Sequence, residues 1–189
     1  MERDSSITLG ERPGVFRPSE DSDLLLAALE VRRGERFLDI GAGSGFLALH
    51  AARVARAVAT DVSPDAVRLI RENAHANRLP LAVVRCDLFR GLRGAFDVIA
   101  FNPPYLVERI SGDWTDRAWQ GGPEGDEVIL RFLRDAAAFL APGGRAYLLV
   151  PSQRDRGLAA AEERFHVRVA GERPLFFERL LVLELTHRD

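Results

Sequence analysis

Short apolar runs alternate with amphipathic stretches along most of this chain. Phe37-Leu38-Asp39-Ile40 is a short apolar run that ends in glycines, as a buried strand does. Between Phe46 and Ala55 the apolar residues Leu47, Ala51 and Val54 recur at helical spacing. Ala57-Val58-Ala59-Thr60 predicts a second strand ending at Asp61, and Pro64 to Asn77 a helix with proline in its first turn. Leu81 to Cys86 and Phe96 to Phe101 predict two more strands, followed by a long loop from Pro103 to Gly125. Glu127 to Leu140 predicts an amphipathic helix with Val128, Phe132, Ala136 and Leu140 in register, stopped by Pro142-Gly143-Gly144. Arg145 to Val150 is a fifth strand and Asp155 to Phe165 a helix; Val167 to Ala170 and Arg179 to Thr186 are the last strands. Ahead of the alternation, Ser19 or Ser22 is placed to cap a short helix through Glu30, carrying Leu24, Leu25, Ala28 and Leu29. Residues 1–18 are polar with glycine and proline, and read as an arm or loop.

Repeated strand–helix alternation predicts an α/β fold: a seven-stranded, mostly parallel sheet with helices on both faces, in a single domain spanning 1–189. Such sheets bind ligands beyond the carboxyl ends of their strands. The expected site is therefore Asp39 to Gly45, Asp61, Asp87-Leu88 and Asn102 to Tyr105.

Composition narrows the class. The 189 residues are 47% hydrophobic and 29% charged, an ordinary globular balance. No apolar run approaches a membrane span, and Met1-Glu2-Arg3-Asp4 lacks the opening of a signal peptide, so a cytoplasmic protein is expected. Cys86, the only cysteine, reads as a small buried filler. All 26 basic residues are arginine, scattered among acids, with a net charge of −2; no linear basic face marks a nucleic-acid binder. His50, His75, His166 and His187 have no metal-ligand spacing, and Arg131 and Arg134 beside Asp135 read as a solvated helix face.

Gly41, Gly43 and Gly45 follow the first strand and open a helix, so the backbone there can turn sharply and approach a ligand. Phe46 stands where a dinucleotide site would place its third glycine, no Lys-Ser/Thr follows as in a P-loop, and Ala42 breaks a nucleophile elbow at Ser44. Asp61, 22 residues beyond Asp39, can accept from ribose hydroxyls; Asp87 can reach an adenine amine, with Leu88 adding backbone and apolar contact. Asp39 can meet an ammonium group. Three acids at successive strand ends suit a cationic ligand, whereas phosphate requires the opposite field.

Asn102-Pro103-Pro104-Tyr105 is the more specific signal. An amide nitrogen is a poor nucleophile because its lone pair is delocalised. The Asn102 side-chain oxygen and the Pro103 carbonyl can each accept one of its N–H groups, fixing the nitrogen for attack. The prolines stiffen the turn, and Tyr105 can lie against a flat substrate group. Positioning of this kind can lower a barrier by about 7–11 kcal/mol.

These residues resemble the class I S-adenosylmethionine-dependent methyltransferases, whose fold is Rossmann-like. Within them the chain is similar to the short eukaryotic and archaeal branch of the HemK-like release-factor glutamine methyltransferases. Three segments carry the resemblance: Val15-Phe16-Arg17-Pro18-Ser19-Glu20-Asp21-Ser22; the Asp39–Gly45 loop with Asp61 and Asp87; and Asn102–Tyr105 with Trp119-Gln120-Gly121-Gly122-Pro123-Glu124-Gly125-Asp126-Glu127-Val128. The resemblance implies cofactor contacts at Ser22, Asp39, Gly41, Gly43, Asp61, Asp87, Leu88 and Asn102. It implies substrate contacts at Asn102, Pro103, Pro104, Tyr105 and Trp119, with Asn102, Pro103 and Tyr105 catalytic and no metal. Phe16 stands where the family has tyrosine and Asp39 where glutamate is common. The implied activity is N5-methylation of the glutamine in the Gly-Gly-Gln segment of a release factor. The implied partner is a small zinc-binding activator protein, expected to pair with the sheet edge at Leu81–Cys86. Three alternatives stay open: methylation of an adenine or guanine amine in RNA or DNA, lysine methylation, and a cofactor-binding subunit without catalysis.

Overall fold

A computed structural model describes residues 1–104, 126–176 and 178–188. It contains the helices α1 (Glu20–Ala28), α2 (Phe46–Ala51), α3 (Pro64–Ala76), α4 (Glu127–Ala136) and α5 (Asp155–Arg164). The strands are β1 (Arg36–Ile40), β2 (Arg56–Asp61), β3 (Leu81–Arg85), β4 (Phe96–Phe101), β5 (Leu140–Pro151), β6 (Phe165–Pro174) and β7 (Arg179–His187). They form one seven-stranded sheet in the order β3-β2-β1-β4-β5-β7-β6. β1 to β5 pair in parallel; β7 is antiparallel to both β5 and β6.

The near-continuous apolar character of the central strands follows from burial on both faces. Neighbours along a strand point to opposite sides. Phe37, Val98, Ala100 and Tyr147 pack with Leu25 and Leu26 of α1 and Phe46 and Leu47 of α2. Leu38, Ile40, Ile99 and Phe101 pack with Ile129, Phe132 and Leu133 of α4 on the other side. The predicted sheet and its two helical layers are thus present.

The largest boundary differences fall in three places. α2 ends at Ala51 rather than Ala55, although Ala52 and Ala55 still donate to the carbonyls of Ala48 and Ala51. There the chain is drawn aside, because Gly34 donates to Val54 and Arg56 to Glu35. The helix expected to run to Leu140 stops at Ala136, and a 3-10 turn over Ala137–Phe139 leads into β5. Pro142-Gly143-Gly144 lies inside that strand, where the β4–β5 register shifts between Phe96 and Val98. A Cβ on Gly144 would lie 2.9 Å from the Ala141 carbonyl oxygen, so only glycine fits the irregularity. The buried side of α4 is Ile129, Phe132, Leu133 and Ala136, rotated from the expected register. β6 is longer than Val167–Ala170, because hydrogen bonding to β7 holds its polar residues in the sheet.

The first 18 residues form neither helix nor strand, but side-chain amides anchor them. Asn77 Oδ1 accepts from the Thr8 amide at 2.8 Å, and Asn73 Oδ1 from the Gly10 amide at 2.8 Å. Val15 is buried against Ala66 and Leu69 of α3. The arm is led in this way to the carboxyl ends of the strands. Among the described residues no helix is long and apolar enough to cross a membrane.

Candidate functional site

A cavity of about 730 Å³ opens at the carboxyl ends of the parallel strands. That volume lies within the range of ligand pockets. Its floor is the glycine loop after β1. Asp39, Asp61, Asp87, Leu88, Asn102, Pro103 and Pro104 all line it, as do Val15, Phe16, Pro18 and Ser22 from the arm and α1. The expected residues from four strand ends therefore meet in one place. Tyr105 and Trp119 lie outside the described residues.

The loop takes its shape from the acids behind it. Gly43 has φ 56°, and its amide donates to Asp61 Oδ2 at 2.9 Å. Gly45 has φ 84° and caps α2 in the left-handed region, where a Cβ would meet Ile70 at 3.2 Å. Side chains at these positions would carry strain that glycine avoids. Asp61 Oδ1 accepts from the Ser63 amide at 2.8 Å, and Ser63 Oγ caps α3 by accepting from the Ala66 amide. The Asp61 carboxylate accepts from three backbone amides and keeps one lone pair for a ligand. Ser44 is buried, and its carbonyl accepts from Asn73 Nδ2 at 2.9 Å, which suits a structural role.

Asp39 leaves β1 on the α1–α2 side, and its Oδ2 accepts from the Ala48 amide at 3.0 Å. Burial pushes its carboxyl up to about 8, and the neighbouring Asp61 adds to the rise against that hydrogen bond. Burial also raises Asp61, opposed by the amides of Ser63, Gly43 and Val62. Two desolvated carboxyls facing one cavity create a site that favours a cation.

Ser22 is buried and reaches back to accept from the Ser19 amide at 3.3 Å, closing the first turn of α1. Leu88 has φ 49°, an uncommon conformation for a branched apolar residue. The Cys86 thiol donates to the Leu88 carbonyl at 3.2 Å. Cys86 is half-buried at the cavity wall, not the fully buried filler expected, because β3 ends at the sheet margin. Burial still pushes its thiol pKa up.

Arg131 corrects a second expectation. Arg134 pairs with Asp135 at 2.8 Å, as a solvated helix face should. Arg131 instead lines the cavity and pairs with Asp87 at 2.5 Å. The available signal was its position three residues after Val128, one helical turn on, and Val128 also lines the cavity. Among the described residues no group of three or more His, Cys, Asp or Glu side chains is arranged to hold a metal ion.

Comparison with known proteins adds four findings. The methyltransferase small domain family matches residues 6–165. A putative protein N5-glutamine methyltransferase of Methanocaldococcus jannaschii is 33% identical over 94% of this chain and 94% of its own length. A release factor glutamine methyltransferase of Deinococcus radiodurans is 41% identical over 84% of this chain and 61% of its own. Among solved structures, the E. cuniculi Mtq2–Trm112 complex, described as responsible for methylation of the termination factor eRF1, matches with a TM-score of 0.74 and 26% identity. That match covers 93% of this chain and 99% of the other.

Proposed function

This chain belongs to the methyltransferase small domain family, and from that premise we propose that it methylates the side-chain amide nitrogen of a glutamine, using S-adenosylmethionine, in the Gly-Gly-Gln segment of a peptide-chain release factor. The observation that carries the proposal is the convergence of Asn102-Pro103-Pro104 with the glycine loop and three strand-end acids on one cavity. The similarity to a glutamine methyltransferase along nearly its whole length supports the choice of nitrogen.

The residues fit this cofactor. Asp39 is fully buried, and a second carboxyl nearby pushes its proton affinity up further. A ligand ammonium relieves that cost, whereas a phosphate would increase it. Asp61 retains a lone pair for a ribose hydroxyl, and Asp87 and Leu88 stand where a purine edge would lie. When bound, the cofactor supplies an electrophilic methyl group on a sulfonium.

The chain's own residues then have the task of presenting the nitrogen. Asn102 accepts one N–H of the substrate amide through its side-chain oxygen, and the Pro103 carbonyl accepts the other. Pro103 is buried while Asn102 and Pro104 are partly open, so the turn is held from behind and accessible in front. The two acceptors stabilise positive charge as it develops on nitrogen. A strong base is not required, because the proton can leave to water after transfer. Tyr105 would pack on the flat amide and Trp119 would wall the pocket.

Further parts of the proposal concern the setting. The enzyme acts in the cytoplasm as a single catalytic domain spanning 1–189. A small zinc-binding partner adds to β3, which is the sheet edge and exposes Val84. An open apolar edge is a site for strand addition.

The test is to incubate the chain with labelled S-adenosylmethionine and either a release factor or nucleic acid, then locate the methyl by mass spectrometry. Label on the glutamine of Gly-Gly-Gln is expected. Label found only on nucleic acid would reject the reading in favour of a base amine.

A further inference from the structure

The ion pair between Asp87 and Arg131 joins two walls of the cavity that the reaction itself does not explain. Asp87 follows β3; Arg131 comes from α4, on the other side of the opening. Arg131 Nη2 donates to Asp87 Oδ2 at 2.5 Å, and among the described contacts Arg131 engages that oxygen alone. Among the described residues no side chain engages Oδ1, and Asp87 lines the cavity. Both side chains are 45% exposed, so the pair adds little to stability. Its consequence is orientation. A carboxylate on a one-carbon stem rotates freely, and a charge-assisted hydrogen bond to one oxygen fixes where the other points. The arginine has a firm base, because Ile129, Phe132 and Leu133 on the same helix are buried. Val128 and Leu88 line the cavity beside the pair, giving the apolar contacts a flat ring needs.

We propose that Arg131 is a positioning residue that sets specificity for the adenine base: by holding Asp87 Oδ2 it presents Oδ1 as the acceptor for the exocyclic amine. This rests on the cofactor reading above. An acceptor fixed in that way selects an amine over a carbonyl at the same ring position. The carbonyl would direct a lone pair at Oδ1, leaving two acceptors face to face.

The test uses the intact chain, calorimetry and two ligands: S-adenosylhomocysteine, and S-inosylhomocysteine, in which a carbonyl replaces the amine. The unaltered chain should prefer the adenosyl ligand. Arg131→Met keeps the aliphatic stem and removes the donor. It should weaken the adenosyl ligand about tenfold while leaving the inosyl ligand nearly unchanged, so that discrimination shrinks. Arg131→Lys should recover part of the preference. Adding Asp87→Asn to Arg131→Met should cost much less than Asp87→Asn alone, because the two act through one contact. Equal weakening of both ligands, or no change in either, would overturn the role of Arg131 and leave the cofactor reading intact. Failure of the unaltered chain to bind either ligand would overturn the cofactor reading and this inference with it.

Discussion

Burial keeps the Asp39 carboxyl protonated until about pH 8, against an ordinary value of 3.8. Between those values the unfolded chain binds fewer protons at this group than the folded one. Its contribution to stability is therefore fully present below about 3.8 and is lost as pH rises through about 8. Asp61 is shifted in the same direction and adds to the same slope. Asp39→Asn should flatten the fall in urea midpoint across this window and raise the midpoint at pH 8. It should also weaken S-adenosylhomocysteine by about 10- to 100-fold, since the carboxyl that gives up its proton to pair with the ammonium is gone. A midpoint at pH 8 that does not rise would place the pH dependence elsewhere. Asn102 makes a different prediction. Asn102→Ala should cut turnover by roughly 100-fold or more while cofactor affinity largely survives, because the lost acceptor orients the substrate. Near-normal turnover in that variant would make the turn structural.

At the scale of elements, the glycine loop is set by what lies behind it. Gly45 begins α2 at φ 84° with Ile70 of α3 close by, so the strand-to-helix turn depends on both conformation and space. Gly45→Ala should destabilise the chain by about 1–2 kcal/mol, read from urea unfolding, through the left-handed conformation alone. An unchanged midpoint would mean that the turn relaxes freely. The same reasoning explains where element boundaries were missed. Pro142-Gly143-Gly144 has the composition of a helix stop, and the helix does end before it. Local composition cannot show that the triplet is absorbed as an irregularity in β5, because that requires Phe96 of β4 as a neighbour.

Across the whole molecule, the two ends of the parallel strands have different work. At the amino ends, Arg145 at β5 pairs with both oxygens of Glu35 at 3.1 Å, with side chains only 10% and 15% exposed, and also donates to the Glu30 carbonyl. At the carboxyl ends, buried acids remain available to a ligand. Arg145→Met should leave the partly buried Glu35 without its cationic partner and cost about 1–3 kcal/mol of stability, with S-adenosylhomocysteine affinity unchanged. Loss of affinity in a variant that is still folded would show the two ends to be coupled. The lateral edge makes the remaining prediction. Val84→Lys should abolish co-purification with a small partner while the isolated chain stays folded. Retention of the partner would move its site away from β3.

The chain by itself determined the layered α/β fold, because strand and helix periods are local and the burial they require is generic. It also determined that Asp39, Asp61, Asp87 and Asn102 would meet, since each lies at or just beyond the carboxyl end of a strand and parallel strands bring those ends together. The glutamine reading was legible only through resemblance in the flanking segments. Tertiary structure alone decided the protonation of Asp39, which depends on how completely Ala48 and its surroundings exclude water. It alone decided that the polar arm is anchored by Asn73 and Asn77, more than 60 residues away. Arg131 shows the limit most clearly: along the chain it is one of two arginines on a polar helix face. Only the packing of α4 on the sheet places it against Asp87, because an ion pair between residues 44 apart leaves no local pattern.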